Sequence, residues 1–180
     1  METVLSSILK MKDVERFNGT RKLQGYNLLE HSYMTAMLFR TFASKEDVAY
    51  DINVFDYVLC HDIPETITGD CVHPVKYFNE KTSDCWHTLE EEILNANPGI
   101  RRYGNIAEHL TERQYALFKM CDILDLAIFV YREIKLGNTL PAMIKTWNKC
   151  HELFRKYSND WEDFSHIKSF VEKELNLGQL

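Results

Sequence analysis

Three observations on the sequence predict an all-α fold. Seven glycines and four prolines in 180 residues are few for a β design with its many tight turns. Apolar residues recur at steps of three and four along much of the chain, the spacing of a helix face. No segment sustains the alternation of period two that a half-buried strand shows. With 45% hydrophobic and 27% charged residues, the chain is long enough to bury a core without disulfide support. One domain over residues 1–180 is therefore the expectation.

The first clear helix covers residues 28 to about 43, its period setting Leu29, Tyr33, Ala36, Met37 and the pair Phe39 and Arg40 against the centre of the bundle. Residues 53 to about 64 make a second, ended or bent by Pro64, whose ring restricts the residue before it. Asn97-Pro98-Gly99 is a turn, within a loop reaching Asn105. Thr111-Glu112-Arg113 opens a helix that runs to Leu136 and stops at Gly137-Asn138, with suitable chemistry at both ends. Its middle is apolar on all sides, which predicts a central position. From Leu140 onward, Met143, Ile144, Trp147, Cys150, Leu153, Phe154 and Tyr157 form one stripe, with Pro141 in the first turn. After a break at Ser158-Asn159-Asp160, the residues Trp161, Phe164, Ile167, Phe170, Val171 and Leu175 repeat the period, giving a helical hairpin.

Composition excludes several functions. The five cysteines, at 60, 71, 85, 121 and 150, contain no Cys-x-x-Cys and cannot all pair, so reduced packing thiols in the cytoplasm are expected. No apolar run approaches the roughly 18–20 residues of a membrane span, and no secretory leader is visible. A net charge of −6 argues against a non-specific grip on duplex nucleic acid. It leaves room for a small anion held by a local cationic pocket or a bound metal.

Chemistry concentrates in three places. His61 and Asp62 adjoin at the end of an apolar stretch, half of a transition-metal site, and His31 lies upstream in a helix. In the greasy run around residues 118–130, Asp122 and Asp125 are buried carboxylates that need a cation or strong hydrogen bonds, and either is a possible fourth ligand. A lone helical histidine is more often a structural residue, and His87, His109, His151 and His166 are read so. Glu65, three residues after Asp62 and four after His61, shares their face on a continuing helical turn.

The motifs Glu30-His31-Ser32, Cys60-His61-Asp62-Ile63-Pro64-Glu65, Thr68-Gly69-Asp70, Pro74-Val75-Lys76-Tyr77-Phe78-Asn79 and Lys119-Met120-Cys121-Asp122 carry a resemblance. Over roughly residues 10 to 137 the chain resembles the HD-domain metal-dependent phosphohydrolases, in their 5′-deoxynucleotidase-like branch. The resemblance implies an HD-domain helical bundle with a metal site at its centre, and His31, His61, Asp62 and Asp122 as ligands of a divalent Mn, Fe, Co, Ni or Zn ion. It makes Asp122 rather than Asp125 the ligand and assigns Asp125 to a helix-packing or surface hydrogen bond. Glu65 and Asp70 become the acid/base carboxylates, and Arg16 and Lys76 the phosphate cations. Phe17 falls where relatives commonly carry a tryptophan that crowds the sugar, and its smaller ring excludes a 2′-hydroxyl less strictly. Cys71-Val72-His73 stands where relatives usually read Leu-Pro-Thr.

The implied reaction is hydrolysis of a deoxynucleotide 5′-phosphoester at the α-phosphorus. Bacterial members of the branch look like monophosphate 5′-nucleotidases, and phage members are dATP triphosphohydrolases. The short chain and its compact spacing lean toward the phage form, which releases triphosphate. That lean carries an adenine preference and, for a phage protein, the host cytoplasm. The alternatives are a monophosphate 5′-nucleotidase releasing orthophosphate, and a non-catalytic nucleotide-binding module. Homo-oligomers are expected from the family.

Overall fold

The computed structural model describes residues 4–71, 73–76, 78–97, 101, 110–159 and 162–175. Helix α1 (Val4–Lys10) runs into a 3-10 turn (Met11–Asp13), and α2 (Leu28–Lys45), α3 (Ile52–Cys60), α4 (Glu65–Thr68), α5 (His73–Lys76), α6 (Glu80–Ala96), α7 (Glu112–Lys135), α8 (Pro141–Tyr157) and α9 (Ser165–Glu174) follow. Among the described residues no strand forms, and the extended pairing is an isolated bridge between Glu15 and Asn27. The all-α expectation holds. None of the described helices is long and apolar enough to cross a membrane.

Helices begin where the sequence supplies an acceptor for their first N–H groups. Asn27 accepts from the Glu30 N–H at 2.9 Å, and Asp51 Oδ1 accepts from both Asn53 and Val54 at 3.0 Å. Asn79 does the same for Thr82 at 2.9 Å, and Thr111 with Gln114 forms a reciprocal capping box. Helix α9 has no side-chain cap at Phe164. Glu46, just past the end of α2, replaces it: its Oε1 accepts from the His166 and Ile167 N–H groups at 2.7 and 3.0 Å. A buried carboxylate there also suits the positive end of the α9 dipole.

The predicted central helix is α7, which packs between α2 and α8. Its Leu117, Met120, Cys121, Leu124 and Val130 are fully buried. Burying each such leucine or valine stabilises the fold by roughly 1.5–3 kcal/mol before chain entropy is counted. The helix ends in a Schellman motif. Gly137, at φ 96°, donates to the Ile134 carbonyl at 3.0 Å, and the Asn138 N–H donates to that of Glu133 at 2.9 Å.

Several details differ from the sequence reading. The buried face of α2 is Leu28, His31, Ser32, Thr35, Ala36, Phe39, Phe42 and Ala43, whereas Leu29, Tyr33 and Arg40 are exposed. Ala36 and Phe39 are buried as expected, but the inner face also carries the polar His31, Ser32 and Thr35, which apolar counting passes over. Helix α3 stops at Cys60 instead of reaching Pro64, and Pro64 caps the short α4. Helices α1 and α6 were not foreseen; α6 keeps Ile93 as its buried residue, so it lacks the long apolar stripe that marks a core helix. In α8, Ile144 is 38% exposed and lies off the buried stripe of Met143, Trp147, Cys150 and Phe154. Helix α9 starts at Ser165, leaving Phe164 as a buried cap residue. Cys121 and Cys150 are buried packing groups as expected, whereas Cys85 is exposed. Pro98 and Gly99 of the expected turn, Val72, Tyr77, His109, Asp160 and Trp161 lie outside the described residues.

Candidate metal centre and active site

Three helical segments deliver the histidines and aspartates. His31 comes from the end of the first turn of α2, His61 and Asp62 from the turn after α3, and Asp122 from the middle of α7. The turn is tight: the Ile63 N–H bonds to the Cys60 carbonyl and the Glu65 N–H to that of Asp62, each at 2.9 Å. It swings His61 and Asp62 toward α2 and α7 and brings the buried Glu65 in behind them.

His31 Nε2 lies 3.4 Å from both Asp62 Oδ2 and Asp122 Oδ1, and His61 Nε2 lies 3.3 Å from Asp62 Oδ2. Ligand atoms of His31, His61 and Asp122 all lie within 4.8 Å of one another; that cluster does not include Asp62, which instead touches both imidazoles. The two Nε2 atoms are buried and, despite the nearby carboxylates, have no aligned hydrogen-bond partner. Their opposite nitrogens are engaged, His61 Nδ1 with the Val58 carbonyl and His31 Nδ1 with Asp125 Oδ2, both at 2.8 Å. Two orphaned imidazole nitrogens facing two carboxylates are the donor set that a divalent transition metal satisfies, so the residues present fit such an ion.

The segment between the 3-10 turn and α2 closes one side. Arg16 Nη1 donates to Asp62 Oδ2 at 2.6 Å and reaches Glu65 Oε2 at 3.5 Å, while its buried Nε lacks a partner. Phe17 has left-handed backbone, φ 59°, which aims its N–H at Asp70 Oδ2, 3.2 Å away. That conformation costs an L-residue roughly 1–2 kcal/mol and marks a position held by its surroundings. The Phe17 ring meets Phe129 edge-on at 5.8 Å. Lys76 is engaged elsewhere: its Nζ pairs with Glu90 Oε1 at 2.7 Å, the oxygen that also accepts from Trp86 Nε1 at 2.8 Å.

The electrostatics separate the carboxyl groups. Burial disfavours a charged Asp62, but His61 and Arg16 outweigh it and hold the carboxyl well below the usual range. Burial likewise opposes an ionised Asp122, yet Lys119, 2.5 Å away, and the two histidines hold it far down. Glu65 goes the other way, pushed up to about 9 by burial and then by the Asp62 charge. Burial, then the Asp62 charge, also raises Asp70 against the pull of Arg16. For His31, burial and Arg16 favour the neutral ring, but the surrounding carboxylates of Asp122, Asp125 and Asp62 outweigh them and raise it to about 10. The set thus contains two firmly ionised aspartates beside two carboxyls with raised proton affinity, a division that acid/base sites use.

Sequence reasoning missed Tyr26 and gave Asp125 and Lys119 no part in orienting the site. Asp125 makes a hydrogen bond between packed helices, as expected, but its partner is the candidate ligand His31: it is buried against that ring and accepts from the Tyr26 hydroxyl at 2.9 Å. Its signal was its place one turn after Asp122 in an apolar helix. Lys119, three residues before Asp122, opens the matching motif, whereas Tyr26 carried no mark. Of the histidines read as structural, His151 meets the Trp147 ring edge-on and the His166 ring is 3.3 Å from Glu46, both away from the centre; His87 is mostly exposed, 3.7 Å from Glu90.

A family model described as 5′-deoxynucleotidase YfbR-like matches residues 3–173. The 5′-deoxynucleotidases YfbR of Salmonella paratyphi B and Salmonella newport are each 26% identical over 175 residues, covering 89% of this chain and 88% of theirs. An HD-domain phosphohydrolase from Listeria innocua superposes with a TM-score of 0.75 at 20% identity, over 96% of this chain and 86% of that one. The cyanophage S-2L HD phosphohydrolase DatZ, bound to dA and one catalytic Zn²⁺, gives 0.71 at 18% identity over 95% of each chain. The two structures share the fold, an HD-domain helical bundle.

Proposed function

The chain belongs to the YfbR-like 5′-deoxynucleotidase family, and from that premise we propose that it hydrolyses deoxynucleoside 5′-monophosphates to deoxynucleoside and orthophosphate. One HD-type domain over residues 1–180 carries the activity. The reading rests on one observation above the rest: the buried, unpartnered Nε2 atoms of His31 and His61 facing Asp62 and Asp122.

His31, His61, Asp62 and Asp122 would hold the divalent ion. Zn, Mn, Co, Ni and Fe all suit two imidazoles and two carboxylates, and the zinc of DatZ puts Zn first. Such an ion, when bound, supplies polarisation of a phosphate oxygen and a lowered pKa for water. Glu65 takes the proton of the attacking water: its raised proton affinity makes it a competent base once its own proton has left, and Arg16 at 3.5 Å stabilises the carboxylate that results. Asp70 returns a proton to the leaving 5′-oxygen. The unpaired Nε–H of Arg16 donates to the phosphate, where charge gathers as the bond breaks. Phe17 borders the sugar. Lys76 reaches the phosphate only by leaving Glu90. The match to a 5′-deoxynucleotidase family supports the monophosphate as substrate.

A second reading, release of triphosphate from dNTPs such as dATP, is favoured by the compact chain, which aligns with DatZ over 95% of both proteins. One assay separates them. Protein loaded with Zn²⁺, Co²⁺ or Mn²⁺ is given each dNMP and each dNTP, and the phosphorus product is identified. Orthophosphate from dNMPs is expected. Triphosphate from dNTPs with dNMPs intact overturns the monophosphate reading. No product from either, with Asp62→Ala binding nucleotide as the parent does, leaves a non-catalytic nucleotide-binding module.

A further inference from the structure

The two imidazoles of the centre are held by unlike partners. His61 Nδ1 meets a neutral backbone carbonyl, that of Val58, at 2.8 Å. His31 Nδ1 meets a carboxylate, Asp125 Oδ2, at 2.8 Å, and the same oxygen accepts the Tyr26 hydroxyl at 2.9 Å. Exposure is 5% for Tyr26, 0% for His31 and 5% for Asp125, so water does not compete for these bonds. Neither Asp125 nor Tyr26 has a task in the hydrolysis above, since both meet His31 at the nitrogen opposite Nε2. A buried carboxylate kept at such a place is costly unless its bonds serve the structure or the site.

We infer that Asp125 and Tyr26 are positioning residues for metal capture: Asp125 fixes the His31 ring with Nδ1 as hydrogen-bond donor and Nε2 aimed at Asp62 and Asp122, and Tyr26 fixes Asp125. Three features carry this. Asp125 follows Asp122 by one turn of α7, so the ligand and the group that orients its neighbour ride on the same rigid face. Tyr26 is itself held, stacked on Phe129 with centroids 4.2 Å apart and an interplanar angle of 8°. Its carbonyl accepts the Arg16 N–H at 2.8 Å and its ring lies 5.8 Å beneath the Arg16 guanidinium, so one tyrosine registers Arg16 against His31. Finally, a carboxylate on the Nδ1 hydrogen enriches electron density at Nε2, which makes His31 the stronger donor of the two imidazoles.

The inference rests on the metal-centre reading and not on the substrate. Its test uses the full chain, stripped with a chelator, titrated with Zn²⁺ against a chromophoric competitor and separately loaded with Co²⁺ for its visible absorption. Asp125→Asn keeps the shape and loses the charge; Tyr26→Phe loses only the hydroxyl. Zn²⁺ affinity should fall about 10–100-fold in Asp125→Asn and about three- to tenfold in Tyr26→Phe, with a shifted Co²⁺ spectrum in both. The double variant should lose no more than Asp125→Asn alone, because Tyr26 acts through Asp125. Zn²⁺ affinity within twofold of the parent in Asp125→Asn, with an unchanged Co²⁺ spectrum, overturns the inference even where the melting temperature drops. Should Asp125→Asn fail to fold, Tyr26→Phe decides by the same twofold criterion. A parent chain that binds neither ion overturns it as well. Metal binding in the expected pattern without deoxynucleotide cleavage supports the positioning role and defeats the function proposed above.

Discussion

Glu133→Gln tests how the Arg16 segment is held. Glu133 is fully buried at the end of α7, and its carboxylate accepts the Leu23 and Gln24 N–H groups at 2.8 Å each and Asn138 Nδ2 at 2.6 Å. Each hydrogen bond to an ionised group contributes roughly 1.5–3 kcal/mol. Glutamine keeps one acceptor oxygen and turns an amide toward N–H donors, so at least one bond is lost and the others fall to neutral strength. The expected loss is about 3 kcal/mol, a large part of a typical domain's stability. Urea unfolding followed by far-ultraviolet circular dichroism measures it. Burial pushes the Glu133 carboxyl up, but Asn138 and the Leu23 and Gln24 N–H groups outweigh that and hold it below its usual 4.5. A lowered folded-state value contributes stability that is present above the unfolded value and disappears as pH falls through the folded one. The gap between parent and variant should therefore be full at pH 7 and close as the medium is acidified below 4.5. Displacing the clamped loop also moves Arg16 and Tyr26, so kcat/KM should fall about tenfold or more at temperatures where both proteins are folded. A loss under about 1 kcal/mol, or one that grows in acid, refutes the clamp.

Three further outcomes are expected. Glu46→Gln removes the charged cap of α9 and should cost about 2 kcal/mol in the same unfolding assay while leaving kcat/KM within twofold, because its bonds lie away from the centre. Gly137→Ala should cost about 1–2 kcal/mol from its left-handed backbone alone, since the space beside it is open within 4 Å; no measurable loss would mean that the turn relaxes. Chelation should abolish turnover and lower the melting temperature. Returning Zn²⁺ at about 100 times its dissociation constant should restore roughly 2.7 kcal/mol of stability, and an unmoved melting curve would speak against the ion.

Much of this architecture is legible in the residue order. Thr111 and Gly137 bracket α7 because capping and left-handed turn chemistry are local, and the apolar middle of that helix declares its central place. The stripe of α8 is local in the same sense. Other features depend on distant partners. The inner face of α2 carries His31, Ser32 and Thr35, which look like surface residues although all three are buried. The α9 cap comes from Glu46, about 120 positions upstream, and no pattern near residue 165 announces it. The motifs single out His31, His61, Asp62 and Asp122, yet Asp125 looked incidental because its two partners approach from other segments.

One face of α7 carries Asp122, Asp125, Phe129 and Glu133, which meet in turn His31, Tyr26 with His31, the Phe17 and Tyr26 rings, and the Leu23-Gln24 backbone. These positions span roughly 16 Å at 1.5 Å per residue, so the helix works as a ruler along which ion, aromatic platform and clamp are spaced. Phase is then the vulnerable variable. Deleting or inserting a single residue between 123 and 132 rotates everything beyond it by about 100°, and no downstream contact survives that turn. Insertions and deletions inside this window should abolish activity even where point substitutions at the same positions are tolerated.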